Sequence, residues 1–182
     1  MTITNQNIEQ LLSSCKVGNQ RAQMEIYKRY YKAMYNTAFR IVKDSYKAED
    51  IMQESFLTAF TKLDTLKEVS TFGAWLKRIV VNNSIYDYNK TNYTVPFEDV
   101  MYKVADTETS HNSSELTKLK AQKVIEGMNL LKDNYRIGLS LHLIEGYDYE
   151  EICEIMNISY ANCRTMISRA KESLRQKLEP TG

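Results

Sequence analysis

Residues 146–178 read GYDYEEICEIMNISYANCRTMISRAKESLRQKL, and this stretch decides the fold. Asp148 followed three residues later by Glu151 forms a capping-box pattern, which opens a helix by satisfying two otherwise unpaired backbone N–H groups. That helix turns Ile152 and Ile155-Met156 inward and stops at Asn157, a residue that tolerates the left-handed backbone of a helix end. Ser159 then caps a longer helix whose inner stripe is Cys163, Ile167, Ala170, Leu174 and Leu178. A short helix, a tight turn and a longer helix predict a helix-turn-helix.

The outer face of the longer helix carries Asn162, Arg164, Thr165, Ser168, Arg169, Lys171 and Arg175. From Arg164 to Lys177 the bases Arg164, Arg169, Lys171, Arg175 and Lys177 outnumber the single acid Glu172, a local net charge of +4. The segment before it holds Glu145, Asp148, Glu150, Glu151 and Glu154 with no base. That asymmetry suits a second helix entering a DNA major groove, with Arg on guanine edges and Lys and Ser on phosphates. A plain helical hairpin with a solvated basic tail is the competing reading.

Working outward, the N-terminal half is helical too. Ile8, Leu11, Leu12 and Cys15 share one face of a short helix that Gly18 is placed to end. From Tyr27 the apolar positions Tyr27, Tyr30, Tyr31, Met34, Tyr35, Ala38, Ile41 and Val42 keep a spacing of three and four. After Asp44-Ser45, both good N-caps, a third stripe runs Ala48, Ile51, Met52, Phe56, Ala59, Phe60, Leu63. A fourth helix begins near Ser70-Thr71 and buries Phe72, Trp75, Leu76, Ile79 and Val80. Four amphipathic helices make one bundle.

Residues 92–115 differ. They hold Pro96, many Ser, Thr and Asn, the acids Glu98, Asp99, Asp106, Glu108 and Glu115, and one base, Lys103. With few apolar residues and no sustained period, they are expected to form a mobile tether. Periodicity returns with Leu116, Leu119, Val124, Met128 and Leu131. The expected fold is all-α: an N-terminal helical bundle (1–91), a flexible acidic linker (92–115) and a C-terminal helix-turn-helix domain (116–182).

Composition agrees. The 182 residues are 43% hydrophobic and 26% charged, with six Gly and two Pro, too few chain breakers for a turn-rich β-sandwich. No apolar run reaches the ~18 residues of a membrane span and no signal-peptide pattern opens the chain, so a cytoplasmic location away from the membrane is expected. Cys15, Cys153 and Cys163 lack a Cys-x-x-Cys and are read as reduced thiols, while His111 and His142 have no partners at ligand spacing. Neither a metal nor a cofactor is expected. Without a Gly-rich phosphate loop or a nucleophile motif, no enzyme is expected either. The net charge is only +1, so any contact with DNA must rest on local patches.

Glu145-Gly146-Tyr147-Asp148-Tyr149-Glu150-Glu151-Ile152, Asn157-Ile158-Ser159 and Ser168-Arg169-Ala170-Lys171-Glu172-Ser173-Leu174-Arg175 together resemble the fourth conserved region of extracytoplasmic-function (ECF) sigma factors. Ala48-Glu49-Asp50-Ile51-Met52-Gln53-Glu54-Ser55-Phe56 and Phe72-x-x-Trp75-Leu76-x-x-Ile79-x-x-Asn82 resemble the second region of that family, in the right order and separation. The resemblance implies a protein without an active site that binds core RNA polymerase and lends it promoter recognition and strand opening. It implies that Glu49, Asp50, Gln53 and Glu54 dock on the clamp helices of the polymerase's largest subunit. Lys67, Ser70, Thr71, Lys77, Arg78, Asn82, Asn83, Tyr86 and Lys90 would handle the −10 element, where one base is flipped from the stack. Tyr86, Tyr88 and Tyr93 can stack on single-stranded bases, whereas Trp75 sits on the apolar stripe and is expected in the core. Ser159, Tyr160, Asn162, Arg164, Thr165, Ser168, Arg169, Lys171 and Arg175 would read the −35 element, and the flap region of core polymerase is expected as a partner beside the clamp helices. An anti-sigma factor or a separate DNA-targeting protein is a further expected partner.

Two features depart from the family. Tyr86-Asp87-Tyr88-Asn89-Lys90 stands where many relatives carry a run of Arg and Lys, and Met166 and Ala161 stand where a basic residue and a Gly are common. Fewer neutralised phosphates mean weak binding to free DNA, so promoters are expected to be recognised only within the holoenzyme. The rival readings are a stand-alone helix-turn-helix regulator, for which no receiver-like βα alternation is present, and a helical adaptor for protein partners only.

Overall fold

The computed structural model describes residues 6–94 and 115–179, which belong to two compact units, 1–102 and 103–182. Pro96 and the acids from Glu98 to Glu108, on which the tether expectation rests, lie outside the described residues. All regular structure among the described residues is helical.

In the first unit, α1 spans Ile8–Lys16 and opens with a capping box between Asn7 and Gln10. Gly18, at φ 78, reverses the chain, and the Asn19 side chain accepts from the backbone N–H groups of Arg21 and Ala22 to start α2, Gln20–Val42. Lys43 ends α2 in the left-handed region at φ 56. Asp44 caps α3, Ser45–Thr61, by accepting from Lys47 N. Two 3-10 turns, Leu63–Thr65 and Val69–Thr71, lead into α4, Phe72–Thr94. This helix runs three residues beyond position 91 and stops two short of Pro96, whose ring disfavours helical backbone in the preceding residue.

The anticipated apolar stripes meet in one core of Leu11, Leu12, Cys15, Met34, Ala38, Ile51, Met52, Phe56, Leu63, Phe72, Leu76 and Val80. Two details differ from the periodic reading. Ala22 and Ile26 bury the first turns of α2 ahead of Tyr27, and Tyr31 points out, 45% exposed and stacked on Tyr27 at 5.8 Å. A tyrosine carries a polar tip, so the outermost member of an aromatic-rich stripe can face water at little cost. Trp75 packs against the core with its ring 6.0 Å from that of Phe72, as expected of a structural residue. Phe72 also receives the edge of Tyr30 at 5.3 Å. Replacing Phe72 by Ala is expected to destabilise the first unit by ~3–5 kcal/mol, measured by denaturant unfolding, because the site is closed on several sides.

In the second unit, α5 (Glu115–Asn129) and α6 (Asp133–Leu139) precede a π-helical turn over Ser140–Ile144. Then come α7 (Tyr149–Met156) and α8 (Tyr160–Leu178). The capping box at Asp148–Glu151, the left-handed Asn157 at φ 53 and the Ser159 cap are all present. The buried residues include Met128, Leu131, Ile137, Leu139, Leu141, Tyr147, Ile152, Ile155, Cys163, Ile167, Ala170 and Leu174. Leu116 and Leu119, expected on the inner stripe of α5, are 63% and 57% exposed. Among the described residues α5 is buried at its C-terminal end, at Gly127 and Met128, and a Cβ on Gly127 would lie 3.0 Å from Leu174, so glycine there admits the close approach of α8.

Candidate macromolecular interfaces

The α3 surface is built on a helix held from both sides. Its inner face buries Ala48, Ile51, Met52, Ser55, Phe56 and Ala59. The Ser55 hydroxyl, with no exposure, donates to Ile51 O at 2.6 Å and accepts from Asn83 Nδ2 at 2.9 Å. Lys47 bridges to α4, donating to Thr91 Oγ1 at 2.7 Å and pairing with Asp87 at 3.5 Å. With these ties, Glu49, Asp50, Gln53 and Glu54 all lie exposed on one side, and Gln53 donates to Glu49 at 3.3 Å. A fixed row of carboxylates suits a basic partner, since ordering its backbone costs nothing on binding.

Two residues that sequence reasoning passed over extend this row. Tyr46 is 83% and Leu57 70% exposed, and Tyr46, Asp50, Gln53 and Leu57 follow each other at i, i+4, i+7 and i+11. Their helical phase was readable, but an apolar residue outside the main stripe carries no mark of its own until its exposure is known.

The second surface joins the loop before α4 to that helix. Leu63, Leu66 and Val69 anchor the loop on the core, and Thr71 donates to Glu68 O at 2.8 Å, which leaves Lys67, Ser70 and Thr71 outside. Along α4, Asn82, Tyr86 and Lys90 are exposed, with Tyr86 at 71%, while Lys77, Arg78 and Tyr88 are half-buried. Asn83 faces inward to its bond with Ser55, a tie between α3 and α4 that its residue type did not announce. The side chain of Tyr93 lies outside the described set.

The third surface is the outer face of α8. Ser159 Oγ accepts from Asn162 N at 3.2 Å, fixing the first turn. Tyr160, Asn162, Arg164, Thr165, Ser168, Arg169 and Arg175 are exposed and Lys171 is half-buried. Arg175 pairs with Glu172 at 3.0 Å. Met166 turns away from this face, since a Cβ added to Gly138 would sit 2.7 Å from its terminal methyl group. The position that departs from the family is thus spent on packing against α6. Tyr160 has support the sequence did not reveal: its ring lies 6.2 Å from Tyr149, which lies 5.0 Å from His142, whose Nδ1 is 3.0 Å from Tyr147 O.

Burial pushes the Cys15 and Cys163 thiols up to about 11. Among the described residues, no group of three or more His, Cys, Asp or Glu is placed to hold a metal ion, and no helix is long and apolar enough to cross a membrane.

Comparison with known proteins places names beside these surfaces. Residues 26–93, which include α3 and all but the last residue of α4, match Sigma-70 region 2, and residues 121–174, which include α6, α7 and most of α8, match Sigma-70 region 4. The chain is 32% identical over 184 residues to the ECF RNA polymerase sigma factor SigW of Bacillus subtilis strain 168, covering 94% of this chain and 96% of that one. It is 31% identical over 153 residues to SigM of the same organism, covering 83% and 91%. Its fold is similar to that of the sigma factor RpoE of Bartonella quintana, solved in complex with the anti-sigma factor NepR. That match has a TM-score of 0.60 at 22% identity and covers 87% of this chain and 98% of that one.

Proposed function

The chain belongs to the ECF RNA polymerase sigma factors, and on that premise we propose how its surfaces divide the work of directing promoter-specific transcription initiation. The observation that carries the proposal is the pairing, in one chain, of an acidic exposed row on α3 with a basic exposed face on α8. In this reading residues 1–91 dock on core RNA polymerase and 116–182 take the upstream promoter element, and being parts of one chain they gain from effective concentration when both engage.

Glu49, Asp50, Gln53 and Glu54 meet the clamp helices of the polymerase's largest subunit, with Tyr46 and Leu57 as apolar anchors at either end of the row. Charges set the register and exclude wrong partners, while desolvated aromatic and aliphatic groups contribute affinity. Lys67, Ser70, Thr71, Lys77, Arg78, Asn82, Tyr86 and Lys90 serve the −10 element. Asn82 can both donate to and accept from a flipped base, and the open ring of Tyr86 offers a stacking face. Asn83 supports this surface from behind through Ser55. On α8, Arg164 and Arg169 are the base-reading pair for the −35 element, Thr165, Ser168, Lys171 and Arg175 hold phosphates, and Ser159, Tyr160 and Asn162 set the entry of the helix into the groove. The further protein partner is an anti-sigma factor or a separate DNA-targeting protein, the former in keeping with the complex of the Bartonella relative.

With a net charge of +1, the free chain neutralises few phosphates beyond those under α8. Fluorescence anisotropy on a labelled promoter duplex at ~0.15 M salt, the physiological ionic strength, tests the division of labour. Specific binding is expected only with the holoenzyme. Tight, specific binding by the isolated chain would instead support a stand-alone helix-turn-helix regulator, against which the region 2 match over residues 26–93 already speaks.

A further inference from the structure

Rings from three elements meet at the end of α8 where that helix begins. His142 belongs to the π-helical turn Ser140–Ile144, Tyr149 is the first residue of α7 and Tyr160 the first residue of α8. Each is fixed by local bonds. His142 Nδ1 lies 3.0 Å from Tyr147 O, and because a carbonyl only accepts, the ring nitrogen donates and the ring is oriented. Asp148 and Glu151 hold the first turn of α7 through reciprocal bonds of 2.8 and 3.0 Å. Ser159 Oγ holds the first turn of α8 by accepting from Asn162 N, and Ile158 N closes the turn between the helices on Cys153 O at 3.1 Å. On this frame the rings of His142 and Tyr149 lie 5.0 Å apart and those of Tyr149 and Tyr160 lie 6.2 Å apart, both within the range of attractive aromatic pairs. His142 and Tyr149 are half-buried and Tyr160 is 53% exposed, so the chain of rings runs outward from the fold to the surface.

Tyr160 and Arg164 are four positions apart and share one edge of α8. This inference rests on the reading of α8 as the helix that takes the −35 element, in which the first residues of the helix meet base edges. A neutral ring in that place brings no charge and no fork of donors. Its chemistry suits the apolar feature of a base edge in the major groove, the methyl group of thymine.

We propose that Tyr160 reads a thymine methyl group in the −35 element, and that Tyr149, backed by His142, is the positioning residue that holds the Tyr160 ring for it. An unsupported tyrosine at a helix end samples several rotamers, and each must be given up on binding. The ring beside it removes that freedom before DNA arrives, so less ordering cost falls on recognition. Four residues of helix advance ~6 Å and bases stack ~3.4 Å apart, so the thymine lies within about two base pairs of the base that Arg164 reads.

The test uses holoenzyme assembled from core RNA polymerase and the full chain, with fluorescence anisotropy on a promoter duplex recovered by transcription of a genomic library. Each thymine of the upstream element is replaced in turn by deoxyuridine, which keeps the base pairing and removes only the methyl group. One replacement should weaken binding by about threefold to fivefold, the effect of one buried methyl group. Tyr160→Ala should bind the thymine and uracil duplexes alike. Tyr149→Leu should bring the ratio of the two affinities close to one, whereas Tyr149→Phe, which retains the ring, should preserve it. Because each ratio compares two duplexes on one protein sample, any loss of folded protein cancels, and a merely structural role of Tyr149 would leave the ratio intact. The proposal is overturned if no deoxyuridine position matters, if the ratio survives in Tyr160→Ala or Tyr149→Leu, or if it is lost in Tyr149→Phe. The double variant Arg164→Ala, Arg169→Ala separates this result from its premise. Loss of promoter affinity in that variant without any uracil effect keeps α8 as the reading helix and overturns the role of Tyr160, whereas no loss overturns both.

Discussion

Reversing two charges on α3, with Asp50→Lys and Glu54→Lys together, is expected to weaken binding to core RNA polymerase by about a hundredfold or more, like charges across an interface costing several kcal/mol. Both side chains are exposed and neither contributes to the core beneath them, which is made by Ile51, Met52, Ser55 and Phe56. The melting temperature should therefore stay within a few degrees of the unaltered protein, as surface substitutions away from caps and buried ties are usually small. Glu179→Lys, an equally exposed acid just beyond α8, serves as the charge control and should leave the affinity for core polymerase within about twofold, the usual scale of rim charges. Truncating Leu57 to Ala separates the two contributions on the row. A smaller loss, of about tenfold, would mark it as an apolar anchor, since a desolvated aliphatic group contributes on the order of 1–2 kcal/mol.

The complementary result concerns α8. Removing Arg164 and Arg169 together is expected to lower transcription from a two-element promoter by about a hundredfold, since each specific arginine–guanine pair is worth ~1–3 kcal/mol of discrimination. Affinity for core polymerase should not change, because no residue of the α3 row is touched. Lys171→Ala should act differently, weakening binding evenly across promoter sequences and flattening the salt dependence by about one counterion. Base-reading and phosphate-holding residues on one helix are thus told apart by sequence dependence. A parallel loss of polymerase affinity in the arginine variant would mean that α8 is a docking surface for the enzyme.

Much of this architecture was legible before any coordinate was known, because its signals are local. Asp148, Glu151, Asn157 and Ser159 each satisfy or release specific backbone groups within one turn, so their types alone delimit α7 and α8. The stripes of α1 and α3 were readable for a related reason: each has a single wide apolar face. What escaped depends on partners distant in sequence. Leu116 and Leu119 have the spacing of a buried stripe, but among the described residues the burial of α5 is at Gly127 and Met128, where α8 approaches, and periodicity does not report where a neighbouring helix packs. Asn83 is drawn inward by Ser55, 28 positions away, and Met166 is turned toward Gly138 by the room a missing side chain leaves.

For the candidate surfaces the same division holds. Residue type and helical phase were enough to nominate the α3 row and the outer face of α8. They did not reveal Tyr46 and Leu57 as exposed extensions of that row, or the chain of rings from His142 through Tyr149 that backs Tyr160. In each case the missing information was what a side chain packs against.

The most direct test is in vitro transcription with core RNA polymerase from the source organism, with and without the purified protein, on a library of genomic promoters. The account predicts new start sites that appear only with the protein and share two spaced upstream elements. They should be lost with the Asp50→Lys, Glu54→Lys variant at the level of polymerase binding, and with the Arg164→Ala, Arg169→Ala variant at the level of promoter choice. Failure of the protein to bind a demonstrably active core polymerase, with no new start sites, would contradict it.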